Sequence, residues 1–302
     1  MRWAPDPAAL ELLERAGPFE TMAYRSACVA TLSDTADASF GAVSDGGASA
    51  AVALIRQGLT AHLPYGYSGV RASQRLSIEE VRSFLHTARQ AAGAQRLIVH
   101  DVLDAAAGGR TIATTSIAYL DAPPAERFAK KARQSIRRAV RAGATCASTA
   151  DPETFVGLYE TASKAWGMTY PIGLISATAE RGLAMFFDVH VDGRRAGSIA
   201  VLRGATHWMY WLAAQNDVGR RAEVGYLAVA SMLEEARAAG AGSVNLGASA
   251  GLPGVAEFKK RVGGVERPVL EWRDASPLMT AASPVMTLAE RSYAALTRWR
   301  RT

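Results

Sequence analysis

Cysteine is scarce. Cys28 and Cys146 are the only two among 302 residues, in no C-x-x-C or His/Cys spacing, so the sequence points to neither a disulfide framework nor a structural zinc site. Long apolar runs are missing too: nowhere do ~18 uninterrupted apolar residues occur, the minimum for a membrane-spanning helix. The segment from Met1 to Ala16 carries Asp6, Glu11 and Glu14, which a signal peptide would not tolerate. The expectation is a soluble, cytoplasmic protein. His62, His86, His100, His190 and His207 fall into no pattern with a nucleophile and are assigned no chemistry. One absence is local. Between Arg127 and Arg141 lie seven cations (Arg127, Lys130, Lys131, Arg133, Arg137, Arg138 and Arg141) and no acid, in a chain whose net charge is +6. Such a block biases the chain toward polyanions.

What is present is a repeat. Phe40, Asp45-Gly46, Arg56, Gly58, His62 and Tyr65 are echoed in order by Phe187, Asp192-Gly193, Arg203, Gly204, His207 and Tyr210. Downstream, Ser83-Phe84-Leu85 with Ala88-Arg89 and Gly93 returns as Ser231-Met232-Leu233 with Ala236-Arg237 and Gly240. A tandem duplication follows, and the length suits two domains. We place them at 1–122 and 123–279, with a C-terminal helix in 280–302 packing on the first.

Each half reads as a hairpin around Asp-Gly, a further strand, a helix, a glycine stop and another strand. The strands are expected at Ser49 to Arg56 and Gly197 to Arg203, then at Thr60 to Tyr65 and Thr206 to Ala213. The helices are expected at Ile78 to Ala92 and Val224 to Ala239, followed by strands at Arg96 to Val102 and Ser243 to Leu246. Phe128, Ala132, Ile136 and Ala139/Val140 form the apolar stripe of an amphipathic helix whose other face is basic. Asp151-Pro152 opens another helix, to about Ala165.

Asn245-Leu246-Gly247-Ala248-Ser249, then Gly251-Leu252 and Phe258-Lys259-Lys260-Arg261-Val262-Gly263-Gly264, together with the basic helix and Pro64-Tyr65-Gly66-Tyr67-Ser68-Gly69, resemble the FemABX-like peptidyltransferases and their BioF2-like acetyltransferase relatives. The resemblance implies an α/β fold of tandem GNAT-like domains, with mixed sheets flanked by helices. It implies an aminoacyl-tRNA-dependent transferase that forms an amide on a peptide or amine acceptor, either a natural-product peptide or a cell-wall precursor. No metal and no cofactor beyond the co-substrate are implied. Acyl-CoA is the alternative donor, and a non-catalytic RNA-binding module the alternative outside enzymology.

By the same resemblance Lys259 is the catalytic candidate, its ammonium stabilising the oxyanion that develops as an ester is attacked. Tyr210 is the second, a hydroxyl donor to substrate or leaving group. Trp208 shares its strand face. Tyr65, Tyr67 and Arg71 form an aromatic and basic loop suited to gripping an acceptor's carboxylate or phosphate; Ser249 and Phe258 join the substrate-binding set. Lys130, Arg133, Arg137 and Arg141 are expected on tRNA phosphates, with Arg220, Arg221 and Lys260 as further phosphate contacts. A CoA-using enzyme of this fold carries an Arg/Gln-x-x-Gly-x-Gly/Ala turn at a helix start. Gln215 to Ala222 departs from it in spacing and adds Asp217, which favours tRNA over CoA.

Overall fold

The computed structural model describes residues 1–102, 109–166, 170–249 and 251–280. Fifteen strands run in chain order as β1 (Trp3–Pro5), β2 (Thr35–Asp37), β3 (Phe40–Ser44), β4 (Ser49–Val52), β5 (Ile55–Gln57), β6 (Thr60–His62), β7 (Arg71–Ala72) and β8 (Arg96–Asp101). They continue as β9 (Arg110–Tyr119), β10 (Ala144–Thr149), β11 (Ala184–Val191), β12 (Arg194–Arg203), β13 (His207–Gln215), β14 (Ser243–Ala248) and β15 (Val265–Ala275). Eleven form one mixed sheet in the order β10-β11-β12-β13-β14-β9-β15-β8-β6-β5-β2, and β1-β3-β4-β7 form a second.

The duplication is visible in the register. Phe40 sits opposite Val52 and Phe187 opposite Ile199; Thr60 sits opposite Arg96 and His207 opposite Ser243. Every pair is related by the same shift of 147 positions, from Phe40 to Phe187 and from Thr60 to His207. This corrects three of the matches in the first run. At that shift Gly58 corresponds to Ala205, His62 to Met209 and Tyr65 to Leu212, so the second Gly, the His and the Tyr echoes are out of structural register. The strand expected from Ser49 to Arg56 is also split: β4 ends at Val52 and joins the small sheet, and β5 starts at Ile55 in the large one. Its counterpart β12 is continuous but carries a bulge between Ala200 and Val201, the positions matching the break at Ala53 and Leu54.

The last strand of each half crosses over. β9 follows β8 in sequence but pairs with β14 and β15, and β15 follows β14 but pairs with β8 and β9. The expected boundary at 122/123 falls in the connection after β9, on the far side of a strand already embedded between two of the second half.

Turn and cap chemistry explain the elements. Asp192 and Gly193 both have positive φ (48° and 73°), the signature of a two-residue type I′ hairpin. Gly93 and Gly240 end their helices in the left-handed region, at φ 61° and 83°. The basic helix spans Lys130–Arg141 and buries Ala132, Ser135 and Ala139, with Phe128 just before it; Val140 lies outside the stripe, exposed. Asp151 accepts from the Glu153 amide at the start of helix Glu153–Trp166. Helices Ile78–Ala91 and Val224–Ala238 cover the two halves, each over its own apolar cluster. The expected helix in 280–302 lies outside the described residues. No described helix is long and apolar enough to cross a membrane.

Candidate active site

β13 and β14 run parallel only over His207–Ser243, Trp208–Val244 and Met209–Asn245. Beyond these pairs β13 runs on to Gln215 and β14 to Ala248 without pairing, so the sheet opens between them. A cleft of about 340 Å³ lies over β12 and β13, against the starts of helices Val224–Ala238 and Pro253–Arg261. Tyr210, Phe258, Lys259 and Arg220 line it.

Asn245 shapes the opening. Its side-chain oxygen accepts from the Gly247 amide at 2.8 Å and from the Thr115 hydroxyl at 2.7 Å, holding Gly247 at φ 79°, where a side chain would be strained. A bulge in β14 between Asn245 and Ala248 turns two carbonyls, of Gly247 and Ala248, toward Lys259, whose Nζ donates to them at 2.8 and 2.7 Å. Lys259 is buried (4% exposed), and burial lowers its ammonium to about 8. An ammonium has three donors, so one remains after the two carbonyls. The neighbouring Lys260 is exposed.

Tyr210 is half-buried in the cleft wall; its hydroxyl has no described hydrogen-bond partner, and burial pushes the phenol up to about 12. Phe258 packs on Tyr226 with ring centroids 4.7 Å apart. Arg220 stands at the cleft mouth, bonded to Asp217 and to the Gln215 carbonyl. The stretch that departs from the phosphate-turn pattern makes a short helix, Asp217–Ala222, capped by Asn216. Arg221 is exposed.

On the opposite face Tyr67 reaches the same strand end. Burial raises its phenol, against hydrogen bonds with the Thr115 side chain and the Ala248 backbone. Tyr67 and Lys259 therefore meet Ala248 from the two halves of the repeat. The Tyr67 loop is pinned: Tyr24 donates to the Pro64 carbonyl, Ser68 to that of Ala53, and the Gly69 amide to Glu20. Tyr65 projects from it at φ 56°, 43% exposed, 5.0 Å from the Tyr170 ring.

Three expected residues take other positions. Arg71 is not a free grip: its guanidinium, 11% exposed, is bound by Glu20 at 2.8 Å and Asp101 at 3.3 Å, both carboxylates buried. Burial opposes its charge, but the two carboxylates outweigh that and raise its pKa. Trp208 is buried in the core cluster with helix Val224–Ala238 and does not line the cleft. Ser249 lines a separate depression on the other side of helix Pro253–Arg261. Asn245, quoted for its motif, and Thr115 were not singled out as site residues; nothing in the sequence places position 115 beside position 245.

Of the seven cations, Arg127 binds Asp121 and Arg138 binds Glu223. Lys130, Lys131, Arg133, Arg137 and Arg141 are exposed, with no carboxylate partner among the described residues. The Ala129 amide donates to the Arg261 carbonyl, joining the start of this helix to the end of the one carrying Lys259.

Residues 126–260 match the model of the acetyltransferase (GNAT) domain family. This stretch is similar to GNAT domains. Around it the whole chain shares its fold with solved structures. A FemX structure superposes with a TM-score of 0.71 at 13% identity, covering 93% of this chain and 99% of that one. The C-terminal domain of a putative lysylphosphatidylglycerol synthetase from Agrobacterium fabrum gives 0.58 at 15% identity, covering 92% and 95%. A tandem GNAT protein from the clavulanic acid biosynthesis pathway gives 0.54 at 16% identity, covering 91% and 98%. The sequence matches no curated protein. The GNAT fold and the FemABX-like resemblance expected from the motifs thus hold at the level of architecture.

Proposed function

We propose that this acyltransferase moves an amino acid from aminoacyl-tRNA to an amine of a peptide or peptide-like acceptor. The observation that carries the reading is the set of five unpaired cations on the basic helix, next to the helix of Lys259. A solvated face needs no such one-sided charge, whereas a nucleic-acid backbone does. The donor ester is already activated, so the protein's part is to position the partners and stabilise charge. The acceptor amine attacks the ester carbonyl, the C–N bond forms, the C–O bond to the ribose breaks, and the proton leaves the amine for the ribose oxygen through solvent. Lys259 faces the carbonyl oxygen as it gains charge.

The cleft lining favours a second reading, an acyl-CoA donor. It holds Arg220 and Lys259 and no carboxylate, and Val224 and Gly225 bring a helix start to it. Incubation with an acceptor panel and labelled charged tRNA or labelled acyl-CoA separates the two. RNase-sensitive product supports the first, product from acyl-CoA the second. No product from either leaves the binding module.

Two expectations follow. Replacing Lys130, Arg133, Arg137 and Arg141 by Gln together should weaken tRNA binding and flatten the log–log salt slope by about three to four units if all four touch phosphate. An unchanged slope assigns them to solubility. The ammonium of Lys259 exists below its pKa, so turnover at saturating substrate should fall as pH rises through about 8. A profile level to pH 10 would remove the charge from the account.

A further inference from the structure

Away from Lys259, on the first half, Arg82, Arg110, Glu271 and Arg273 surround a surface depression of about 420 Å³. Glu271 organises it. Its carboxylate is 6% exposed and accepts from Arg110 at 2.8 Å, from Arg273 at 2.7 and 2.9 Å, and faces His100 Nε2 at 3.2 Å. Burial acts to raise this acid, but Arg273, Arg110 and His100 hold it at about 2. The arginines themselves stay open, 69% and 50% exposed for Arg110 and Arg273. Arg82, exposed on helix Ile78–Ala91, has no described partner. The other carboxylate here, Asp274, is taken by Arg89 at 2.5 Å and His86 at 3.3 Å.

Three guanidiniums thus face one cavity, two fixed side by side by a carboxylate that neutralises only one of them. A guanidinium has five donors, and Glu271 uses one or two from each. What remains matches an oxyanion, carboxylate or phosphate, that accepts from planar forks.

The position gives the anion a role. The Ser68 amide of the Tyr65–Tyr67 loop donates to the His100 carbonyl, and the His100 side chain meets Glu271, so the depression adjoins the acceptor loop. Along β9, Arg110 lies about 16 Å from Thr115, at ~3.3 Å per residue, and Thr115 is the residue bonded to Asn245.

We propose that Arg82, Arg110 and Arg273 form an anion subsite that anchors the acceptor by a carboxylate or phosphate remote from the amine that reacts. This rests on the acyl-transfer reading for the acceptor's identity but not for anion binding. Titration with inorganic phosphate, and separately with succinate, at constant ionic strength tests it without turnover. Wild type and Lys259→Met should bind one of the two saturably and alike, and Arg82→Gln should bind it at least 5-fold more weakly. Arg82→Gln leaves the Glu271 pairs untouched and so guards against misfolding of Arg110→Gln/Arg273→Gln, which should lose 10-fold or more. No saturable binding of either probe, or binding as tight in Arg82→Gln and in the double variant as in wild type, overturns the subsite. In turnover, an acceptor peptide and its C-terminal amide should differ in KM rather than kcat in wild type, and the difference should vanish in Arg82→Gln. Failure of all acceptors to react, with anion binding intact, would count against the acyl-transfer reading alone.

Discussion

Lys259→Met should lower turnover by about 100- to 1000-fold, roughly 2.7 to 4 kcal/mol, as expected for loss of one oxyanion donor. The ground for this is geometric. The ammonium is fixed by the Gly247 and Ala248 carbonyls at the point where β13 and β14 part, and it lines the cleft. A charge already desolvated and aimed needs no reorganisation when the carbonyl oxygen becomes negative. Donor affinity should change far less, since the interaction strengthens only as charge develops. Lys260→Met, at an exposed position on the same helix, should keep turnover and affect binding alone. Methionine leaves two buried carbonyls without a donor, so a thermal melt of Lys259→Met must accompany the kinetics. A folded variant with wild-type turnover at saturating substrate would take Lys259 out of the chemistry.

The largest stability effect is expected at Arg71. Its removal leaves Glu20 and Asp101 facing one another without their shared cation, with side chains 1% and 4% exposed. Breaking a buried ion pair by deleting one partner costs about 3–5 kcal/mol, because the remaining charge stays desolvated. Arg71→Met should therefore shift the urea midpoint by that equivalent. A change below about 1 kcal/mol would show that water reaches the pair. The same result bears on function, since Glu20 also holds the Gly69 amide and thus the loop of Tyr65 and Tyr67.

Features set by local chemistry were legible in the sequence. Asp-Gly turns, terminal glycines and the 3.6-residue stripe of the basic helix are decided within a few neighbours, and they appear where the pattern puts them. Lys259 was legible because its motif travels as one run. The rest depends on meetings between distant residues. Arg71 reads as a free cation until Glu20 and Asp101, separated from it by 51 and 30 positions, are folded against it. Trp208 and Tyr210 share a face, as strand periodicity requires, yet only Tyr210 reaches the cleft. The break at Ala53 and Leu54 was invisible because both residues suit a continuous strand; the chain parts there to supply two sheets. Asn245 would have stood out as a polar residue in an apolar strand followed two positions on by glycine.

The crossed strands also constrain how the chain is made. β8 and β9 are complete once residue 119 has been synthesised, but their neighbours β14 and β15 extend to Ala275. Until then β8 lacks its partner on one side, and β9 has none on either side until β14 is made; an unpaired strand edge invites wrong pairing. The middle of the sheet closes only when nearly all the described chain has been made, so its assembly is late and long-range, the slow regime for folding. A nascent chain of this protein holds an open β edge all the while that residues 120 to 275 are being made.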